Sequence, residues 1–193
     1  TGFRSFRFDA KTGFWLNGKN MKLNGVCEHH DFGCLGAVVN EDAMHRKLVR
    51  LKEMGVNAIR SSHNPPAPEL LNMCDTMGLI VMDESFDMWR RRKTQNDYAR
   101  FFDEWHERDL ADLILRDRNH PSILMWSIGN EIPEQWSQEG VEISRHLQEI
   151  CHQLDPSRPV TQGMDRAEDA LKSGFAQVMD VPGFNYRVHK YFK

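Results

Sequence analysis

No apolar run in the 193 residues approaches the roughly 18 that a membrane-spanning helix requires, so this chain carries no candidate helical span. Neither sign of charge dominates. Lys and Arg number 25 against 28 Asp and Glu, a net charge of -3 without the basic stripe that nucleic-acid binding uses. The single basic run, Arg90-Arg91-Arg92-Lys93, reads as a solvated loop and not as a phosphate or acidic-ligand site. Four cysteines (Cys27, Cys34, Cys74, Cys151) are too scattered for a disulfide framework and are expected as free, mostly buried thiols. The chain opens at Thr1 with no initiating Met and no apolar signal core, as expected of a piece of something longer. No glycine-rich loop follows the first long apolar run, which weighs against a dinucleotide-binding fold.

What is present suits one globular domain with a sizeable core: 40% hydrophobic and 27% charged residues. Residues 1–20 read as a lead-in of short strands with Gly/Asn turns at Lys11-Thr12-Gly13 and Asn17-Gly18. Over 21–193, apolar runs alternate with amphipathic stretches. Strands are expected near 21–27, 56–59, 79–82, 123–128, 158–162 and 178–184. Helices are expected near 41–54, 68–77, 98–117, 138–153 and 166–173, with Gly55 and Gly78 as stops. Phe101 and Trp105 share a face of the third helix and are expected against the sheet, and Trp126 is expected in the core.

This alternation implies parallel strands with right-handed crossovers, in either a doubly wound sheet or a closed barrel. Polar residues follow nearly every strand: His29-His30-Asp31, Arg60 to His63, Asp83-Glu84, Asn130-Glu131 and Asn185-Tyr186. A ring of functional groups at successive strand ends is how a barrel builds its site. A complete barrel takes about 250 residues. The expected fold is therefore an α/β, partial (β/α)8 TIM barrel of six βα units, with the last two units lying beyond the chain.

One strand stands out. Ile123-Leu-Met-Trp-Ser-Ile-Gly-Asn-Glu131 delivers an amide and a carboxyl to one sheet edge. A carboxyl at the mouth of a hydrophobic strand is costly to desolvate, and desolvation favours the protonated, proton-donating form. Glu131 is the first candidate for a general acid. Arg60 has a plainer reading as a buried ion-pair partner of Asp83 or Glu84, and those two acids read as hydrogen-bonding residues that tie strand ends together.

Two segments, Asn57-Ala-Ile-Arg60-Ser-Ser-His63-Asn-Pro65 and Asp117-Arg-Asn-His-Pro-Ser-Ile-Leu-Met-Trp-Ser-Ile-Gly-Asn-Glu131, resemble the two signatures of glycoside hydrolase family 2. Gly13-Phe-Trp-Leu-Asn-Gly18 through Gly25-Val-Cys-Glu-His-His30 is similar to that family's lead-in to its barrel. The family holds β-galactosidases, β-glucuronidases and β-mannosidases. The resemblance implies a retaining, exo-acting β-glycosidase on a carbohydrate substrate, β-galactosidase-like first, with no organic cofactor. It implies Glu131 as acid/base, Asn130 on the sugar 2-hydroxyl, Arg60 beside the nucleophile, His30 and His63 on sugar hydroxyls, and Tyr186 on the nucleophile's carboxylate. The family's nucleophile, a glutamate at the seventh strand end, matches no position here and is expected beyond Lys193, so the 193 residues alone are expected to be inactive. Some family members hold magnesium through a Glu and a His after the third strand. Met88 and Arg90 stand where those would fall, so no metal ligand is assigned there, and Trp89 suggests an aromatic platform for a sugar face instead.

Two other readings come from different classes. His29, His30, Asp31 and His63 suit a metal-dependent barrel hydrolase, although Cys27, His29, His30 and Cys34 match no standard zinc spacing and adjacent His residues point to opposite faces. The missing nucleophile also leaves room for a non-catalytic carbohydrate-binding fragment. In the glycosidase reading His29 is a packing residue.

Overall fold

The computed structural model describes residues 3–190; the first two residues of the expected lead-in and the last three of the barrel region lie outside the described residues. Three short strands, β1 (Phe6–Asp9), β2 (Gly13–Leu16) and β3 (Lys19–Asn20), form an antiparallel meander. Then come β4 (Gly25–Glu28), α1 (Glu41–Glu53), β5 (Ala58–Ser61), α2 (Pro68–Met77), β6 (Ile80–Glu84), α3 (Phe102–Asp117), β7 (Ile123–Asn130), α4 (Gln138–Leu154), β8 (Val160–Met164), α5 (Ala167–Ser173) and β9 (Gly183–Phe184).

The second sheet runs β4-β5-β6-β7-β8-β9, every neighbouring pair parallel. A doubly wound sheet reverses its strand order at a switch point, whereas this order never reverses. The chain has wound in one direction only, as a barrel does, and stands as the open part of one.

Local chemistry sets the helix ends. Asn40 Oδ1 accepts from Ala43 N at 2.9 Å to start α1, and Ser137 Oγ accepts from Gly140 N at 3.2 Å to start α4. Gly78, at φ +71°, stops α2 in the left-handed region that a side chain disfavours. The helices pack on the outer face of the sheet, where Leu48, Leu71, Ile114 and Leu147 meet Ile59, Val81, Ile123 and Trp126. On the other side, Phe14 packs with Leu124 and Met125, while the Arg4 guanidinium donates to the carbonyls of Pro121 and Ile123. The meander thus closes the end from which the parallel strands start, leaving the opposite end for a site.

Four expectations are corrected. Five of the six parallel strands run one or two residues past their apolar runs, because the ladder continues through polar residues once the helices no longer cover it. The last strand is only Gly183–Phe184, preceded by a 3-10 turn at Ala176–Val178. Phe102, fully buried, takes the packing position expected of Phe101, which is 47% exposed. Cys74 and Cys151 are buried, but Cys27 and Cys34 are exposed.

Asp83 lies on β6 with no exposure, and neither carboxyl oxygen has a donor among the described residues. Burial above all, and then the neighbouring Asp117, pushes its pKa well above the ordinary carboxylate value, with Arg116 pulling weakly the other way. Arg116 instead chelates Asp117, through Nε at 2.7 Å and Nη2 at 2.6 Å. Two adjacent buried carboxyls ionise together only at high cost, and Asp83, the one without a donor, is the one whose protonated form burial favours. The folded state therefore binds a proton that the unfolded chain releases above the ordinary carboxylate value, so this group costs stability as pH rises from there. Asp83→Asn should melt like wild type near pH 4 and become progressively more stable than wild type toward pH 8, in thermal unfolding across roughly pH 4–9. A difference that stays constant with pH would sink this account.

Candidate active site

The ends of β5, β6 and β7 converge on Glu84, which is fully buried. Its Oε2 accepts from Arg60 Nε at 2.8 Å and from Ser127 Oγ at 2.6 Å, with Arg60 Nη2 2.7 Å away in the ion pair. Its Oε1 lies 2.6 Å from His63 Nδ1. Against the carboxylate Nδ1 is the donating nitrogen of His63, which leaves its Nε2 for another partner. The Glu84 N–H donates to Ser61 Oγ at 2.8 Å, fixing the backbone as well.

Asn130 is 4% exposed, and its amide orientation is set on both sides. Oδ1 accepts from Arg60 Nη2 at 2.9 Å and from Asn185 Nδ2 at 3.0 Å, while Nδ2 donates to Asp87 Oδ1 at 2.9 Å. One amide hydrogen stays uncommitted. Lys93 Nζ donates to the same Asp87 oxygen at 2.8 Å and to the Asn130 carbonyl at 2.7 Å. Partial burial would raise the Asp87 pKa, but hydrogen bonds from Lys93 and Asn130 hold it below the usual value.

Adjacent strand residues point to opposite faces, so Asn130 and Glu131 would be separated by continued extension. The chain avoids this. Glu131 adopts φ +46°, its N–H bonds Gly163 O at 2.7 Å, and its Oε1 accepts from the same Asn185 Nδ2, at 2.9 Å, that reaches Asn130. The Glu131 carboxyl, through its side-chain interaction with the Tyr186 hydroxyl first and then its charge, raises the tyrosine pKa. Tyr186 is 72% exposed and sits at φ +61°.

Gly163 lies opposite Asn130 in the ladder. A Cβ there would come within 2.7 Å of Arg60 Nη2 and 3.1 Å of the Asn185 amide, so any side chain displaces the bonds around Asn130.

The structure brings Arg60, His63, Asn130, Glu131 and Tyr186 into one cluster. It does not bring His30 there. Glu28 turns toward Lys47 of α1, and His30 returns to that outer side, with Nε2 at 3.2 Å from Ala37 O and its ring edge-on to Phe32. His29 is the neighbour that faces inward, its ring 5.1 Å from that of His63. Trp89 is also misplaced as a platform. It is fully buried, its Nε1 donates to Ile128 O at 2.9 Å, and Phe102 and Phe175 pack on its ring. Of the basic run, Arg90 bonds Asp103 and Glu139 on the surface, while Lys93 folds back to the site.

The magnesium that some family members hold does not fit here. Met88 is buried, and Arg90, a cation, is engaged with two acids. Sequence reasoning assigned no role to Asp87 or Lys93 and ranked Asn185 only as a strand-end polar residue. The signal available for Asn185 was its place beside Tyr186, the last pair of the polar ring.

The family profile described as "Glycosyl hydrolases family 2, TIM barrel domain" matches residues 9–186. The chain is 52% identical to the beta-galactosidase BoGH2A of Bacteroides ovatus, over 96% of this chain and 25% of that protein. It is 32% identical to a beta-glucuronidase of Bacteroides fragilis, over 86% of this chain and 24% of that protein. Among solved structures, a glycosyl hydrolase family 2 member from Bacteroides cellulosilyticus superposes with a TM-score of 0.94 at 49% identity, over 99% of this chain and 24% of that one. A Bacteroides uniformis beta-glucuronidase superposes with a TM-score of 0.82 at 30% identity, over 96% of this chain and 23% of that one. The chain thus spans about a quarter of the length of these relatives. With its one-directional parallel sheet and the cluster at its strand ends, the chain belongs to glycosyl hydrolase family 2 and carries much of that family's TIM barrel domain.

Proposed function

We propose that the protein carrying this chain is a retaining β-glycosidase, and that this chain supplies the acid/base and sugar-binding side of its site. The observation that carries the reading is the turn at Glu131: a left-handed residue brings its carboxyl to the same Asn185 amide that holds Asn130. Glu131 would protonate the leaving glycosidic oxygen as the sugar–oxygen bond breaks. It would then take a proton from the water that attacks the glycosyl–enzyme intermediate. The uncommitted amide hydrogen of Asn130 suits the sugar 2-hydroxyl, where a hydrogen bond tightens in the oxocarbenium-like transition state. His63 Nε2 and the adjacent His29 ring suit other hydroxyls.

A retaining reaction needs a second carboxylate about 5–5.5 Å from the first. Glu84 is a poor candidate, since Arg60, His63 and Ser127 already occupy it and no part of it is exposed. Asp87 is paired with Lys93 and Asn130. We therefore assign the nucleophile to the protein outside these 193 residues, where it would lie between Arg60 and Tyr186. In the same reading residues 1–20 are a lead-in that closes the floor, and 21–193 are the barrel portion.

A neutral galactoside is the favoured substrate. A uronate carboxylate would need a free cation, whereas Lys93 is neutralised by Asp87 and Arg60 is committed to Glu84 and Asn130. The identity to a protein named a beta-galactosidase points the same way. The test is turnover of aryl β-galactosides and β-glucuronides by the full-length protein and two variants. Glu131→Gln should lower kcat by about 10²–10⁴, most for poor leaving groups, at unchanged stability. Wild-type kcat in Glu131→Gln on a galactoside with an unactivated leaving group would refute the assignment. Glu84→Ala should instead lose fold and activity together. It strips Arg60 of its buried partner at a cost of about 3–5 kcal/mol, read by chemical denaturation. An Glu84→Ala protein that is inactive yet as stable as wild type would make Glu84 a reacting group and not a strut.

A further inference from the structure

On the outer face of the barrel, away from the strand ends, α3 and α4 present His106, Glu107 and His146 to one another. Each offers a ligating atom, and the three atoms lie within 4.8 Å of one another. We propose that this cluster binds a divalent transition cation of the zinc class, clamping α3 to α4.

His106 is prepared for the task. Its Nδ1 lies 2.6 Å from the Phe102 carbonyl, which can only accept, so the ring hydrogen is on Nδ1 and Nε2 carries a free lone pair. Donation of the second ring N–H to a backbone carbonyl is what fixes tautomer and orientation in metal-binding histidines. The ring is further stacked on Phe102 at 4.5 Å between centroids and 12° between planes, and Phe102 is fully buried. That histidine is therefore rigid before any cation arrives.

The other two ligands come from both helices. His146 Nε2 of α4 lies 2.8 Å from Glu107 Oε1 of α3, and the His106 and His146 rings are 5.8 Å apart. A cation would replace the hydrogen shared between His146 and Glu107. Ligand atoms around tetrahedral zinc at about 2.0–2.2 Å stand a little over 3 Å apart, so rotation of the two exposed side chains closes the set. Two imidazoles and one carboxylate suit zinc and its borderline neighbours, whereas magnesium and calcium prefer oxygen alone. Water would complete the coordination.

The experiment is titration of the full-length, metal-stripped protein with Zn²⁺, followed by calorimetry and thermal melting, with Co²⁺ absorption as a coordination probe. Wild type should bind Zn²⁺ and melt at a higher temperature in its presence. His146→Ala should lose that shift. Glu107→Ala should bind more weakly by roughly tenfold or more, since even outer-shell losses cost 10- to 100-fold. Both side chains are well exposed, so neither change threatens the fold or the glycosidase site. Zn²⁺ affinity and melting shift unchanged in His146→Ala would overturn the proposal, as would a wild-type protein whose melting does not respond to Zn²⁺.

Discussion

The Arg60–Glu84 ion pair is the constraint on which the rest of the site depends. It joins β5 to β6, and the same guanidinium crosses to Asn130 at the end of β7. Two charges cannot be taken out of water for their mutual attraction alone; they need further hydrogen bonds to hold their orientation. Here Ser127 and His63 saturate the carboxylate, and Asn130 takes the remaining guanidinium edge. Each of these partners is a residue that a sugar site would use or would need fixed, so satisfying the ion pair and building the site are one act of folding.

Much of this was legible in the order of residues, and the reason is burial. Parallel strands covered on both faces read as near-continuous apolar runs, and where such a run stops at polar residues the sheet reaches its open end. That is why Ile123 to Glu131 points to a site from sequence alone. The fold class followed from the same runs, while the choice of barrel over doubly wound sheet rested on where the polar residues fell. The strand order decides it independently.

What could not be read is phase beyond a strand's last hydrogen bond. His29 and His30 are equivalent as residues, and only the turn after β4 determines which ring meets His63. Trp89 follows a strand end, as platform residues do, yet the chain folds it under the loop against Phe102 and Phe175. Gly163 is invisible for another cause. Its need to be small comes from Arg60 and Asn185, residues more than 20 positions away in the chain, and nothing near it in sequence reports them.

The two glutamates at neighbouring strand ends show how backbone and hydrogen bonds divide roles between identical side chains. Glu84 ends a regular strand and is enclosed without exposure by Arg60, His63 and Ser127, so its carboxyl is fixed in place. Glu131 receives the Asn185 amide beside the mostly exposed Tyr186, and reaches it through a left-handed turn that lifts it off the sheet. The strain of a non-glycine residue at positive φ is tolerated at this point because the Gly163 carbonyl captures its N–H and Asn185 captures its carboxylate. The same Asn185 grips Asn130, so the Glu131 carboxyl and the Asn130 amide are kept in register by one side chain, while the ion pair below them bears the packing.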